Sequence, residues 1–202
     1  MPRVNKKYRE EAKERIIAAA IEVAKKNGWD AVTLDAIARN VGVSIPALYS
    51  YFESREVLLR EVVFSSFQDL QSALETMLAV DEDLHRTLSR MVELFMAQHE
   101  PYAGIMFQIP TRFIQDLRNQ EESSHIFNDI RFIIRDFLAR AQSKGELAAA
   151  VNPDAAACTI IAVTIGFQIG SLSLELDADA VKRFWLATVE GYLQMGPENP
   201  AP

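Results

Sequence analysis

Apolar residues recur every three or four positions along most of this chain, broken at glycine, proline and short runs of hydroxyl or acidic side chains. That spacing predicts helices throughout. A first helix is expected over residues 10–27, with Ile16, Ile17, Ala20, Ile21, Val23 and Ala24 on its stripe and Gly28 just past its end. Trp29 is expected to close a small core over Ala24. Leu34, Ile37, Ala38 and Val41 mark a short second helix, capped by Thr33 and favoured by Asp35 at its positive end. Gly42 supplies a tight corner. Ser44 caps a third helix that buries Ala47, Leu48 and Phe52 and takes Pro46 in its first turn.

The later helices are longer. Ser54 starts one in which Val57, Leu58, Val62, Phe64, Phe67, Leu70, Leu74, Met77 and Leu78 extend the pattern to about Val80. Leu84, Leu88, Met91, Val92, Leu94, Phe95 and Met96 predict the next, to about Glu100. Pro101 and Pro110 bracket a two-turn segment over 102–109, and 112–118 continues helically. The polar run 119–124 reads equally as a loop or as an exposed stretch of one long helix. Residues 126–141 are amphipathic through Ile130, Ile133, Ile134, Phe137 and Leu138, ending at Lys144-Gly145. Asn152-Pro153-Asp154 begins a segment without a charged residue over 155–174, and 180–195 carries a second apolar surface. A membrane span is not the reading of 155–174, because hydroxyl and amide side chains interrupt it, no Lys or Arg flanks it, and Asp154 and Glu175 stand at its ends.

The stretch 33–55 has the form of two helices around a glycine corner, the helix-turn-helix whose second helix enters the major groove. Burying Leu48 and Phe52 leaves Ile45, Pro46, Tyr49, Ser50 and Tyr51 available to a partner. Hydroxyls of Tyr and Ser bond phosphate oxygens, and apolar tips meet a thymine methyl. The first turn of the fourth helix, with Arg55, is expected to lie at a phosphate.

Over residues 15–64 the chain resembles the N-terminal domain of the TetR family of bacterial one-component regulators. The residues that carry the likeness are Ile16-Ile17, Ala19-Ala20, Gly28-Trp29, Thr33, Ile37-Ala38, Gly42-Val43-Ser44, Leu48-Tyr49, Tyr51-Phe52, Arg55-Glu56 and Leu58-Leu59. Two departures stand out: Ala24 occupies a position where an aromatic is common, and Arg55 replaces the commoner Lys. The resemblance implies a homodimer and a small effector held in the second domain. It also implies an all-α fold, in which a three-helix DNA-binding head (residues 1–53) precedes a larger helical effector-binding and dimerisation domain (54–196); the Pro-rich residues 197–202 read as a disordered tail. About nine helices are expected in all.

Charge supports that division. Residues 1–60 hold 11 Lys and Arg against 8 Asp and Glu, whereas the remainder holds 10 against 20, giving the chain its net charge of -7. A basic head on an acidic body suits a phosphate-binding module joined to a regulatory domain. Lys6 and Lys7 are expected to belong to a basic arm, over 1–9, that follows the DNA backbone. The single cysteine, Cys158, excludes an internal disulfide and is expected to fill core space. The start lacks the apolar stretch of a signal peptide, so a cytoplasmic protein is the expectation. His85, His99 and His125 are too scattered for a metal site or a nucleophilic triad, and no phosphate-cradling glycine loop appears. No cofactor and no enzymatic activity are therefore expected.

The expected assignments are these. Thr33, Tyr49, Tyr51 and Arg55 hold phosphates, while Ser44, Ile45, Pro46, Ala47 and Ser50 face bases. Phe67, Met77, Met91, Phe95, Met106, Phe107, Phe113, Phe127, Ile130 and Phe167 supply adaptable apolar surface for an effector, with Gln68, Gln108 and Thr159 as polar handles. Ile165, Gly166, Ile169, Gly170, Leu172, Phe184, Trp185, Thr188 and Tyr192 form a four-helix contact between two copies. The expected function is a repressor released from a pseudo-palindromic operator by an apolar or amphipathic effector. An activator with the same head, or a helical ligand carrier or enzyme with a vestigial one, is the alternative.

Overall fold

A computed structural model describes residues 6–97 and 121–194. The described residues form eight α-helices and one 3-10 turn: α1 (Lys6–Asn27), the turn Trp29–Ala31, α2 (Leu34–Val41), α3 (Ile45–Tyr49), α4 (Arg55–Leu78), α5 (Leu84–Ala97), α6 (Glu121–Ser143), α7 (Pro153–Leu174) and α8 (Ala178–Tyr192). The expected segments 102–109 and 112–118, the tail 197–202, and Met106, Phe107, Gln108 and Phe113 lie outside the described residues, as do the side chains of Lys6, Phe127, Ile169 and Leu172. Residues from Glu121 onward in the polar run are helical.

Two compact units result, meeting in sequence at Phe67 and Gln68. The expected boundary at 53/54 falls earlier, because Leu58, Leu59, Val62 and Val63 from the first half of α4 join the head's core. That core also holds Ile16, Ala20, Val23, Trp29, Ile37, Leu48 and Phe52. Phe67, expected at an effector pocket, packs partly buried against this core as well. One correction concerns the N-terminus. α1 already begins at Lys6, and Lys7 sits on it 3.8 Å from Glu11 one turn on, so that part of the basic segment is helix and not an extended arm.

In the second unit α6 packs on α7, α7 on α8, and α8 on α5. Leu88, Met91, Ile134, Leu138 and Ile160 are fully buried at its centre. Polar caps fix the ends of these helices. Asn152 accepts from the backbone N–H groups of Asp154 (2.9 Å) and Ala155 (3.0 Å) at the start of α7. Glu146 accepts from the Leu84 N–H at 3.0 Å to begin α5, and Arg140 donates to the Leu78 carbonyl at 3.1 Å to finish α4. Arg131 donates to both carboxylate oxygens of Asp154 at 2.9 Å, tying α6 to the first turn of α7.

Candidate nucleic-acid interface

The corner between α2 and α3 is built by local hydrogen bonds that the sequence dictates. Thr33 Oγ1 accepts from the Ala36 N–H at 3.1 Å, opening α2. Gly42 adopts φ 76°, a left-handed conformation that a side chain would strain. With the chain so turned, the N–H groups of Gly42 and Val43 both reach the Ala38 carbonyl at 3.0 Å. Ser44 Oγ then accepts from the Ala47 N–H at 3.3 Å and starts α3, with Pro46 in its first turn. Leu48 and Phe52 are buried in the head, which leaves Ser44, Ile45, Pro46, Tyr49 and Ser50 exposed on the other side. Ala47 and Tyr51 are half-buried.

Two basic side chains take roles that differ from the expectation or exceed it. Arg55 turns inward: Nε donates to the Val32 carbonyl at 2.6 Å and Nη2 to the Trp29 carbonyl at 2.8 Å. The guanidinium fastens the 3-10 turn to the start of α4, where a phosphate ligand was expected. Two N–H groups in the first turn of α4, those of Val57 and Leu58, are already bonded to Ser54. Ser54 Oγ accepts from the Val57 N–H at 3.3 Å. Bonding to its own backbone N–H, and then to the Ser54 hydroxyl, holds the Glu56 carboxyl below the usual glutamate range. Arg9, part of the expected basic segment 1–9, has a partner that the sequence did not foretell. Its Nη2 donates to the Ser50 carbonyl at 3.2 Å, and its guanidinium lies 5.9 Å from the centre of the Tyr51 ring. An exposed cation is thereby fixed at the C-terminal end of α3. Lys13, one turn further along α1, lies 5.7 Å from the Phe52 ring.

The described residues expected to hold an effector differ in exposure. Met77, Met91, Phe95 and Ile130 are buried in the body's core, Gln68 is exposed, and Thr159 donates to the Ala155 carbonyl of its own helix at 2.9 Å. Phe167 is half-buried. A cleft of about 170 Å³ at the end of α4 is lined by Leu78, Asp81, Phe137, Arg140, Lys144 and neighbours, and includes none of these residues.

The expected contact between copies divides in two. Trp185 is only 1% exposed. Its Nε1 donates to Thr164 Oγ1 at 2.9 Å, and Phe95 meets its ring edge-on at 6.1 Å. It is a core residue of the single chain, not an interface residue. Phe184, one position earlier, is 48% exposed, and Ile165, Gly166, Thr188 and Tyr192 are exposed with it, while Gly170 is half-buried. Cys158 is exposed too, on the Ala162–Gly166 side of α7, instead of filling core space.

A glycine-cornered helix pair with an outward hydroxyl and apolar face defines a helix-turn-helix DNA-binding protein. Residues 16–62 match the model of the bacterial regulatory proteins of the tetR family. The chain is 25% identical over 156 residues to the HTH-type transcriptional regulator UidR of Escherichia coli K12, covering 75% of this chain and 77% of that one. It is 31% identical over 145 residues to the HTH-type transcriptional regulator SrpR of Pseudomonas putida, covering 68% and 64%. Its fold is that of the regulator FadR of Bacillus subtilis, solved in complex with stearoyl-CoA, at a TM-score of 0.67 and 18% identity over 87% of this chain and 96% of that one. The chain belongs to the TetR family and is a transcriptional regulator with a helix-turn-helix head. Among the described residues no helix is long and apolar enough to cross a membrane, and no cluster of His, Cys, Asp and Glu could hold a metal ion.

Proposed function

We propose that the protein is a repressor that binds a pseudo-palindromic operator as a homodimer and leaves it when a small apolar or amphipathic molecule occupies the second unit. The observation that carries the DNA half is the exposed face of α3, whose Tyr49 and serines face outward while Arg9 is fastened at its end. Thr33, Tyr49, Tyr51 and Arg9 hold phosphates, and Ser44, Ile45, Pro46, Ala47 and Ser50 face bases. Arg55 positions the head without contacting the duplex.

On α7 and α8 the exposed Ile165, Gly166, Phe184, Thr188 and Tyr192, with Arg183 beside them, suit a second copy of the same surface. A pseudo-palindromic operator requires of the dimer two recognition helices about 34–36 Å apart, one DNA turn. Release requires the effector to bind the DNA-competent and incompetent conformations unequally. The continuity of α4, whose first half belongs to the head and second half to the body, supports a mechanical link. A fatty acyl thioester in the similarly folded FadR supports an amphipathic effector.

Selection of bound sites from a random duplex pool, followed by titration at several salt concentrations, tests the reading. A recovered palindrome bound with a steep salt dependence is expected. Purified protein that ignores every duplex at low ionic strength overturns it. A reporter carrying the recovered site then separates repression from activation.

A further inference from the structure

Sequence-specific contacts to guanine come mostly from Arg or Lys, and contacts to adenine from Asn or Gln, because those side chains match the paired base-edge groups. From Val43 to Tyr51, the corner and the whole of α3, the chain has none of the four. The hydroxyls there are partly committed. Ser50 Oγ donates its hydrogen to the Ala47 carbonyl at 2.6 Å and can only accept from a base, while Ser44 Oγ already accepts from the Ala47 N–H. Arg39 on α2 is paired at 2.5 Å with Asp35 of its own helix. What α3 and its corner offer outward is apolar. Val43 is 39% exposed and Ile45 41%, with Pro46 between Ile45 and Ala47 also exposed.

We infer that this regulator reads its operator through thymine C5-methyl groups, met in the major groove by Val43, Ile45 and Pro46, and not through hydrogen bonds to guanine or adenine. Apolar side chains pressed against the polar edge of a G·C pair strip water from groups they cannot satisfy. Against a methyl group the same side chains gain by burial. Tyr49, 50% exposed at the other end of α3, keeps its hydroxyl for a phosphate. Discrimination thus comes from an apolar wedge placed by phosphate contacts. The inference rests on the DNA-binding reading above, and its test separates the two.

The test uses the sites recovered from the random duplex pool, with each thymine in turn replaced by deoxyuridine, which removes the methyl and keeps base pairing and phosphates. Thymines facing the corner and α3 should each cost about fourfold in affinity when demethylated, the value of one buried methyl, with the salt slope unchanged. Replacing such a thymine by cytosine should weaken binding, and 5-methylcytosine should restore part of it. Ile45→Ala, at an exposed position, should leave folding intact and shrink the thymine-to-deoxyuridine ratio toward one. Equal affinity for thymine and deoxyuridine at every position, or selected half-sites without thymine opposite α3, overturns the inference and leaves DNA binding standing. Failure to bind any duplex at low salt removes both.

Discussion

Two surfaces expose apolar side chains, and they are built differently. On the head, Ile45 and Tyr49 stand on a five-residue helix among serine and tyrosine hydroxyls, with Arg9 fixed beside them. On the body, Ile165, Phe184 and Tyr192 stand on helices of 22 and 15 residues, among exposed glycine, alanine and threonine and with Arg183 at the edge. The first is too small to exclude much water and is surrounded by groups that bond an anion. The second is larger, and it is the face proposed to meet a second copy. An apolar tip beside hydroxyls therefore reads as a contact to a polyanion, and a continuous apolar face as a contact to protein.

Substitutions at adjacent positions sharpen that contrast most. Trp185→Ala should cost about 3–5 kcal/mol of stability by urea unfolding, since it empties a fully packed site and removes the indole donor to Thr164 Oγ1. Phe184→Glu should leave the fold intact and halve the mass found by light scattering. A dimer that survives it places the interface elsewhere.

On the head the same logic separates Arg55 from Arg9. Arg55→Ala should cost about 1–3 kcal/mol, because the Val32 and Trp29 carbonyls lose a charged donor. It should weaken DNA binding only as far as the head loosens, with the salt slope unchanged. Arg9→Ala should shift stability by no more than about 0.5 kcal/mol, yet weaken operator and random DNA alike and reduce the salt slope by about one. Arg9→Lys should recover that slope. If Arg9→Ala keeps the full slope, the guanidinium only caps α3.

The smallest effect concerns Glu56. Its carboxyl is held below the ordinary glutamate value in the folded protein, so the stabilisation is present above that ordinary value. It is lost as the pH falls through the depressed one. Wild type and Glu56→Gln should differ slightly in urea midpoint at neutral pH and converge in acid, and the exposure of the group keeps the difference small.

What the sequence by itself determined was local: the cap at Thr33, the left-handed Gly42, Ser44 and Pro46 at the head of α3, and the inward Leu48 and Phe52. The caps and the corner depend on partners within about four residues, and the inward residues follow from the helical period. The tertiary structure alone decided the long-range partners. Arg55 finds carbonyls 23 and 26 residues away, and Arg9 reaches one 41 residues away. Periodicity says which residues share a stripe but not which neighbour covers it, so Phe184 and Trp185 looked alike in sequence. The arrival of Thr164 and Phe95 put one of them inside and left the other at the surface.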